Sequence, residues 1–146
     1  MNQIITREER VRRNTSSLRN LIIDDEILEN IAHYSSRTGP ELTLRITELD
    51  REWDVEHVLE TSMSTLAIAG LILSVVADRK WLAVPTVVLG FFAQHATQGW
   101  CPPLTLLRFL KVRTCDEINQ EKHALKALRG DYEGIRTAEE AYFAAK

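Results

Sequence analysis

The fold of this chain is decided by the stretch Leu66-Ala-Ile-Ala-Gly-Leu-Ile-Leu-Ser-Val-Val-Ala77. The uncharged run around it begins at Thr61, and a helix over that run would be about 25 Å long, near the lower limit for a ~30 Å hydrocarbon core. A charged turn, Asp78-Arg79-Lys80, separates it from a second uncharged segment, Trp81 to Leu107. Soluble helices carry charge along their outer face, so two uncharged segments in a row predict a helical hairpin in a membrane.

Composition alone hides this pattern. The chain has 146 residues, 27% of them charged, but the charges are concentrated in residues 1–60 and 108–146. Its net charge of -3 gives no general attraction to nucleic acid. Residues 1–13 lack the apolar core of a signal peptide, so we expect the first span to act as an uncleaved signal.

We therefore predict an all-α fold in three parts: an N-terminal helical region over residues 1–60, a transmembrane helical hairpin over 61–110 and a charged helical tail over 111–146. The first part would begin with a polar, irregular basic arm and then form amphipathic helices. The third part would begin with a capping box at Thr114 and Glu117, and its main helix would end at Gly130.

Two helices are expected before the hairpin. The first would run from Asp24 or Asp25 to Tyr34, before a break at residues 35–40 in which Gly39 can take the left-handed position. The apolar spacing of Leu42, Ile46, Leu49 and Trp53 predicts the second. No Gly or Pro interrupts residues 41–69, so one long helix is expected to run into the bilayer.

The second span is predicted over Leu82 to Gly99. Trp81 and Trp100 stand at its two ends, where interfacial aromatic residues are common. Basic residues near the span ends predict the orientation. The turn carries Arg79 and Lys80, and the other side carries Arg45, Arg51, Arg108, Lys111 and Arg113. This bias favours a turn outside and both termini in the cytoplasm.

His95 is the strongest candidate for a functional residue, because it lies within the second span in a polar cluster with Gln94 and Gln98. Polar groups in hydrocarbon face a helix partner or a water-filled cavity. His95 could respond to protons or contact a ligand. It could instead form a hydrogen bond across the hairpin or to a second copy, and its closeness to Trp100 favours this second interpretation.

Cys101 is the other candidate, as a reactive thiol, a lipidation site or simply a small residue in a tight turn. No basic residue or helix start is evident beside it in the sequence. Cys101 and Cys115 form no CxxC pair, and His95 with Cys101 supplies too few ligands for a metal. Asp54-Val-Glu-His57 has the spacing of a metal-binding pair, but without a second motif it favours a solvated helix face. We predict no catalytic set, no metal and no cofactor.

Small residues recur four apart within the spans, at Gly70 and Ser74 and at Thr86 and Gly90. Such pairs let helices approach closely, either within the hairpin or between copies of the chain. The spacing leaves both arrangements open, and a homo-oligomer is one of the expected assemblies.

The motif Gly99-Trp100-Cys101-Pro102, preceded by two apolar segments and a turn, resembles the YgaP-like transmembrane domain family. The resemblance covers about Thr61 to Leu110 and implies a hairpin of the bacterial inner membrane that often self-associates. Some members carry a rhodanese sulfurtransferase domain. Residues 1–60 are too short for that domain and contain no cysteine, so sulfur transfer does not carry over.

Three functions remain open from the sequence. The first is a non-enzymatic scaffold or regulator, anchored by the hairpin, whose partners are membrane lipid, other copies of the chain or an unidentified membrane or cytoplasmic protein. The second is a membrane thiol or sulfur-handling accessory protein that uses Cys101. The third is a soluble helical bundle around a buried apolar hairpin, which is disfavoured because few residues would remain to cover that hairpin.

Overall fold

The computed structural model describes residues 7–137, and this part of the chain is built from α-helices without a β-strand. The predicted all-α class is confirmed. The helices are α1 Arg7–Arg13, α2 Ser17–Ser35, α3 Gly39–Leu49, α4 Val55–Val76, α5 Ala83–Gln98, α6 Pro102–Phe109 and α7 Cys115–Arg129, with a short 3-10 helix, Arg79–Leu82, before α5.

The chain divides into two compact units, which are described separately. The first unit contains the residues up to Ile23 together with Trp53–Cys115, and the second contains Asp24–Glu52 together with the residues from Asp116 onward. Both units are therefore discontinuous in sequence, whereas the predicted division followed the order of the chain.

The core of the first unit lies between α1, α4, α5 and α6. Its buried members come from all four helices and from the turn before α6: Val11, Val55, Leu59, Met63, Ala67, Val88, Cys101 and Leu104. Burial of these side chains joins the short helices α1 and α6 to one end of the α4–α5 pair.

Helices α4 and α5 run antiparallel and approach closely near their connecting turn. A Cβ atom added to Gly70 would lie 2.6 Å from Cδ of Pro85 and 3.0 Å from Cβ of Val84. Gly70 therefore permits the close contact that its spacing predicted within the hairpin. Gly90 behaves differently, because a Cβ at that position would meet nothing within 4 Å.

Among the described residues, one helix is long and apolar enough to cross a bilayer, namely α4 with its 22 residues. Only 22% of its most apolar 18-residue window is buried. Helix α5 has 16 residues, or about 24 Å, and falls short of that length. The predicted turn is present, since the carboxylate of Asp78 accepts a hydrogen bond from the backbone N–H of Lys80 at the start of the 3-10 helix.

The prediction of one continuous helix through residues 41–69 is wrong, because α3 ends at Leu49 and α4 begins at Val55. Asp54 causes the new start: its side chain accepts a hydrogen bond from the backbone N–H of His57, 2.7 Å away. Such an N-cap satisfies a donor that the first helical turn leaves without a partner. Trp53 consequently lies in the connection and is exposed, outside the predicted stripe.

The N-terminal helices also differ from the prediction. Part of the arm expected to be irregular forms α1, and α2 begins at Ser17 rather than at Asp24 or Asp25. Gly39 is the first residue of α3 and does not take the left-handed conformation. Residues 1–6 of the predicted arm lie outside the described residues.

Two further differences concern the second half of the chain. Helix α5 ends before Trp100 and the two prolines, as predicted, but Pro102 and Pro103 also begin α6, because proline fits the first turn of a helix. Helix α7 begins directly after Thr114 and ends before Gly130, as predicted. Residues 130–137 form no helix, and residues 138–146 of the predicted tail lie outside the described residues.

The second unit has a small core of its own, formed by Leu42, Ile46, Leu49, Ile118 and Leu125. Beside it the fully buried carboxylate of Glu121 accepts hydrogen bonds from the guanidinium of Arg45, at 2.9 and 3.0 Å. A buried carboxylate is stable only when it is paired in this way. This ion pair therefore fixes α3 against α7.

Candidate functional site

The last turn of α5 and the first turn of α4 meet through a hydrogen-bonded pair of side chains. The Nε2 atom of His95 lies 3.2 Å from Oε1 and 3.3 Å from Oε2 of Glu56. The side chains of His95 and Glu56 are only 1% and 16% exposed. The contact is thus shielded from water and lies at the end of the hairpin away from the Asp78 turn.

The other ring nitrogen of His95 faces Cys101. The distance from Nδ1 to the Sγ atom is 3.7 Å, within hydrogen-bonding range for sulfur. Cys101 is 0% exposed. Glu56, His95 and Cys101 therefore form a continuous series, which we call the thiol cluster.

The backbone after α5 explains how Cys101 returns to His95. Gly99 has a left-handed conformation, with φ of 70°, and its N–H donates a hydrogen bond to the carbonyl of His95. Glycine adopts this conformation without the steric cost that a Cβ brings. Cys101 follows in an extended conformation directly before α6. The expectation that no basic residue or helix start lies beside Cys101 is therefore wrong.

The geometry of the thiol cluster fits proton transfer better than metal binding. Because the two ring nitrogens of His95 point to different partners, the thiol and the carboxylate lie on opposite sides of the imidazole and cannot converge on one ion. No group of three or more His, Cys, Asp or Glu side chains within the described part of the chain is placed to hold a metal. An imidazole between a thiol and a carboxylate can accept the proton of the thiol while the carboxylate fixes the orientation of the ring.

Helix α1 covers the thiol cluster. Val11 is buried in the same apolar core as Cys101, and a Cβ on Gly99 would lie only 2.6 Å from Cβ of Arg10. Two side chains of the N-terminal segment donate to the last carbonyls of α5: Arg10 Nη1 to Thr97 at 3.3 Å and Asn14 Nδ2 to Gln98 at 3.3 Å. These donors satisfy carbonyl groups that the end of a helix leaves without partners. Helix α1 therefore forms part of the protein layer that buries Cys101.

An apolar groove of about 380 Å³ lies in the same unit, between α4, α5 and α6. Leu59, which lines it, lies one turn after Glu56, and Phe91, another lining residue, lies one turn before His95. Pro103, two residues after Cys101, forms a further part of its wall. The groove thus runs close to the thiol cluster along the surface of the hairpin.

The remaining predicted site residues do not join the thiol cluster. Gln98 is exposed and Gln94 is half-buried, and each contributes its backbone carbonyl to a hydrogen bond. Asp54 caps α4 while His57 is exposed, so this spacing forms no metal pair. Cys115 is half-buried at the start of α7.

Sequence reasoning missed Glu56, although it lies inside the segment that was considered as a metal pair. A signal for it was present. Glu56 lies at the start of the helix before the Asp78 turn and His95 lies near the end of the helix after it, so folding the chain at that turn brings their helix ends together. The hydrogen bond across the hairpin that was weighed for His95 is the contact to this residue.

No family model matches this chain, and no match exists among the curated proteins or the solved structures compared with it.

Proposed function

We propose that the protein is a small membrane-anchored thiol protein in which Cys101 is the reactive group. His95 would accept the proton of the thiol, and Glu56 would orient the imidazole and balance its charge. One observation carries this proposal: the three side chains form a shielded series, with 3.7 Å from sulfur to Nδ1 and 3.2 Å from Nε2 to the carboxylate. This is the arrangement of a nucleophile, a base and a group that orients the base.

The reaction class we propose is exchange with an electrophilic sulfur, in a disulfide or a persulfide. The thiol proton of Cys101 moves to Nδ1 of His95, and the resulting thiolate attacks one sulfur of the S–S bond. A new S–S bond to Cys101 forms as the old one breaks, and the leaving thiolate takes the proton from His95. A second thiol then restores Cys101 by the same steps, so atoms and electrons balance.

The proposed anchor is the pair α4 and α5, inserted in a lipid bilayer as two spans. Core helices of soluble proteins are mostly buried, whereas the middle and end of α4 present exposed apolar side chains, of which Val75 is 85% exposed. At about 33 Å, α4 is long enough for the hydrocarbon core. At about 24 Å, α5 is shorter, a mismatch that local thinning of the bilayer accommodates at modest cost.

The proposed location is the bacterial inner membrane, with both termini in the cytoplasm. It is supported by the distribution of basic residues and by the resemblance of Gly99-Trp100-Cys101-Pro102 to YgaP-like hairpins. The thiol cluster would then lie at the cytoplasmic interface, at the open end of the hairpin. Thiols remain reduced in that compartment, as a thiol that attacks disulfides requires.

A scaffold role is the second candidate, and a different observation favours it. The second unit exposes large apolar side chains on three of its segments, at Leu28, Leu44 and Leu128. Exposed apolar surface of this kind is typical of contact sites for other proteins or for further copies of the same chain. Crosslinking in intact cells, followed by identification of the attached chains, distinguishes this role from the thiol role.

The decisive experiment measures the reactivity of Cys101 in the full chain in membranes, with Cys115→Ser removing the second thiol. We expect a small disulfide reagent to label Cys101 about tenfold more slowly at pH 7 in His95→Gln, because the proton acceptor is lost. His57→Gln, which changes an exposed histidine near the start of α4, is the matched control and should leave the rate unchanged.

Two outcomes would argue against the proposal. If Cys101 has the same pH profile of labelling with and without His95, the thiol role is excluded. If a carbonate wash releases the protein from membranes, the anchor is excluded, and the hairpin would have to be covered by protein.

A further inference from the structure

A second cavity in the first unit is small, with a volume of about 150 Å³, and it lies between the start of α2 and helix α6. Leu104 and Phe109 give it an apolar part, and polar side chains line the rest. Its wall includes two arginines, Arg19 and Arg108, and among the described residues that line it none is acidic. Hydroxyl and amide groups complete the polar lining, from Asn14, Thr15, Ser16 and Thr105. We propose that this cavity binds a phosphate group.

Both guanidinium groups are held in place by neighbouring residues, and we propose that Arg19 supplies the charged donors for a ligand. The guanidinium carbon of Arg19 lies 4.2 Å from the ring centroid of Phe109. Stacking on a ring face fixes the plane of a guanidinium, while its N–H groups point outward along the edge. Arg108 is 2% exposed, and its Nη atoms donate to the carbonyl of Val112 at 3.1 Å and to Oδ1 of Asn20 at 2.9 Å.

The start of α2 adds to the positive potential of the cavity. This helix has 19 residues, and its first turn contains no acidic side chain. The Oγ atom of Ser16 accepts a hydrogen bond from the backbone N–H of Arg19, at 3.4 Å, so the hydroxyl hydrogen of Ser16 can still be donated. Helix N-termini with such donors bind phosphate and sulfate groups.

The size of the cavity limits the ligand. At about 30 Å³ for each water, 150 Å³ holds roughly five water-sized atoms. A tetrahedral phosphate has five non-hydrogen atoms and fits, whereas a nucleotide base would have to remain outside. The cavity therefore recognises a phosphate group rather than the molecule that carries it.

Two sources share this chemistry, namely a phospholipid headgroup and free phosphate. Helix α6 presents Leu106, Phe109 and Leu110 on its surface, exposed by 60%, 59% and 62%. Phe109 also lines the cavity. The phosphate site thus has apolar surface directly beside it, and acyl chains of a bound phospholipid would cover that surface.

The test uses the full chain, purified in a non-ionic detergent and freed of lipid. Native mass spectrometry measures the binding of phosphatidylglycerol, and a parallel series adds inorganic phosphate as competitor. We expect Arg19→Gln to weaken lipid binding about tenfold, the effect of losing one charge-assisted hydrogen bond. Arg51→Gln, which removes an exposed arginine elsewhere in the chain, is the control and should bind as the unchanged protein does.

Thr105→Val is a second variant that removes a hydroxyl without changing charge, so the test remains decisive if Arg19→Gln fails to fold. We expect it to weaken binding by a smaller factor. If the chain binds phosphatidylglycerol and Arg19→Gln does not, the ligand is a phospholipid. If the chain binds only inorganic phosphate and Arg19→Gln does not, the ligand is a soluble phosphate. If Arg19→Gln binds as tightly as the Arg51→Gln control, or if neither ligand binds, the phosphate site is excluded. The proposed thiol chemistry does not depend on either result.

Discussion

The imidazole of His95 and the carboxylate of Glu56 lie 3.2 Å apart although 39 positions separate them in the sequence. The pair closes the open end of the α4–α5 hairpin, in a place where water has little access. The pair stabilises the folded state only while both side chains are present, because a buried polar group without a hydrogen-bond partner lowers the free energy of unfolding.

Glu56→Gln tests whether the charge of this residue supports the thiol. The glutamine keeps the size and can still hydrogen-bond to His95, but it no longer balances an imidazolium. We expect labelling of Cys101 at pH 7 to slow by about tenfold, because less of the thiol proton is transferred to His95 when the imidazolium is not stabilised by a negative charge. Glu60→Gln, one turn further along α4 and exposed, should label at the unchanged rate. Equal effects of the two substitutions would contradict the role of Glu56.

Gly99→Ala tests the covering of Cys101 by α1. The left-handed φ of 70° costs a residue with a Cβ about 1–2 kcal/mol. The added methyl would also lie 2.6 Å from Cβ of Arg10, so α1 has to move away. We expect a lower unfolding temperature together with faster labelling of Cys101. Gly90→Ala, where the methyl meets nothing within 4 Å, should show neither effect.

Gly70→Ala tests the contact near the turn. Because the added methyl would lie 2.6 Å from the ring of Pro85, α4 and α5 must separate locally. Overpacking of this kind costs about 1–3 kcal/mol. Denaturant unfolding in detergent measures the loss, again with Gly90→Ala as the matched substitution. A stability equal to that of the control would mean that the two helices do not pack in the described register.

Glu41 gives a prediction for the pH dependence of the second unit. Its carboxylate accepts hydrogen bonds from the backbone N–H of Thr38 at 3.0 Å and from the Thr38 hydroxyl at 2.8 Å, and these contacts lower the pKa of Glu41. A lowered pKa in the folded state stabilises α3 at pH values above the ordinary pKa of a glutamate. That contribution is lost as the pH falls through the lowered value.

Thr38→Ala removes the hydroxyl donor and keeps the backbone donor. We expect the pKa of Glu41 to rise part of the way towards its ordinary value, as measured by NMR titration of the side-chain carboxyl carbon. Thr47→Ala, on the same helix but hydrogen-bonded to the carbonyl of Thr43, is the control. An unchanged pKa in Thr38→Ala would show that the hydroxyl of Thr38 does not lower the pKa of Glu41.

Much of the helical pattern could be predicted from the sequence, because it depends on neighbouring residues. The turn at Asp78, the end of α5 at Gly99 and the start of α7 after Thr114 all follow from local capping chemistry. The break before α4 depends on the same chemistry at Asp54. The absence of glycine and proline does not predict this break, because an aspartate alone can cap a new helix.

The thiol cluster could be predicted only in part, because its contacts are not local. His95 and Cys101 were identified as candidates from their polar surroundings and from the turn between them. Glu56 reaches them through the pairing of two helices, which no spacing within α4 reveals. Helix α1 was missed for a related reason, since seven residues form a stable helix only when tertiary contacts such as those of Val11 support it.

The tight contact at Gly70 has a mechanical consequence for the hairpin. Where α4 contacts Pro85 the two helices are already as close as a glycine allows, so a change in their separation has to occur at the end away from the turn. The ends of the two helices away from the turn carry Glu56 and His95, and separating them breaks this hydrogen-bonded pair together with the apolar packing of Val55 and Leu59 beside it. We therefore expect contacts that hold these two helix ends together, from α1 or from the bilayer surface, to control how often the sulfur of Cys101 becomes exposed.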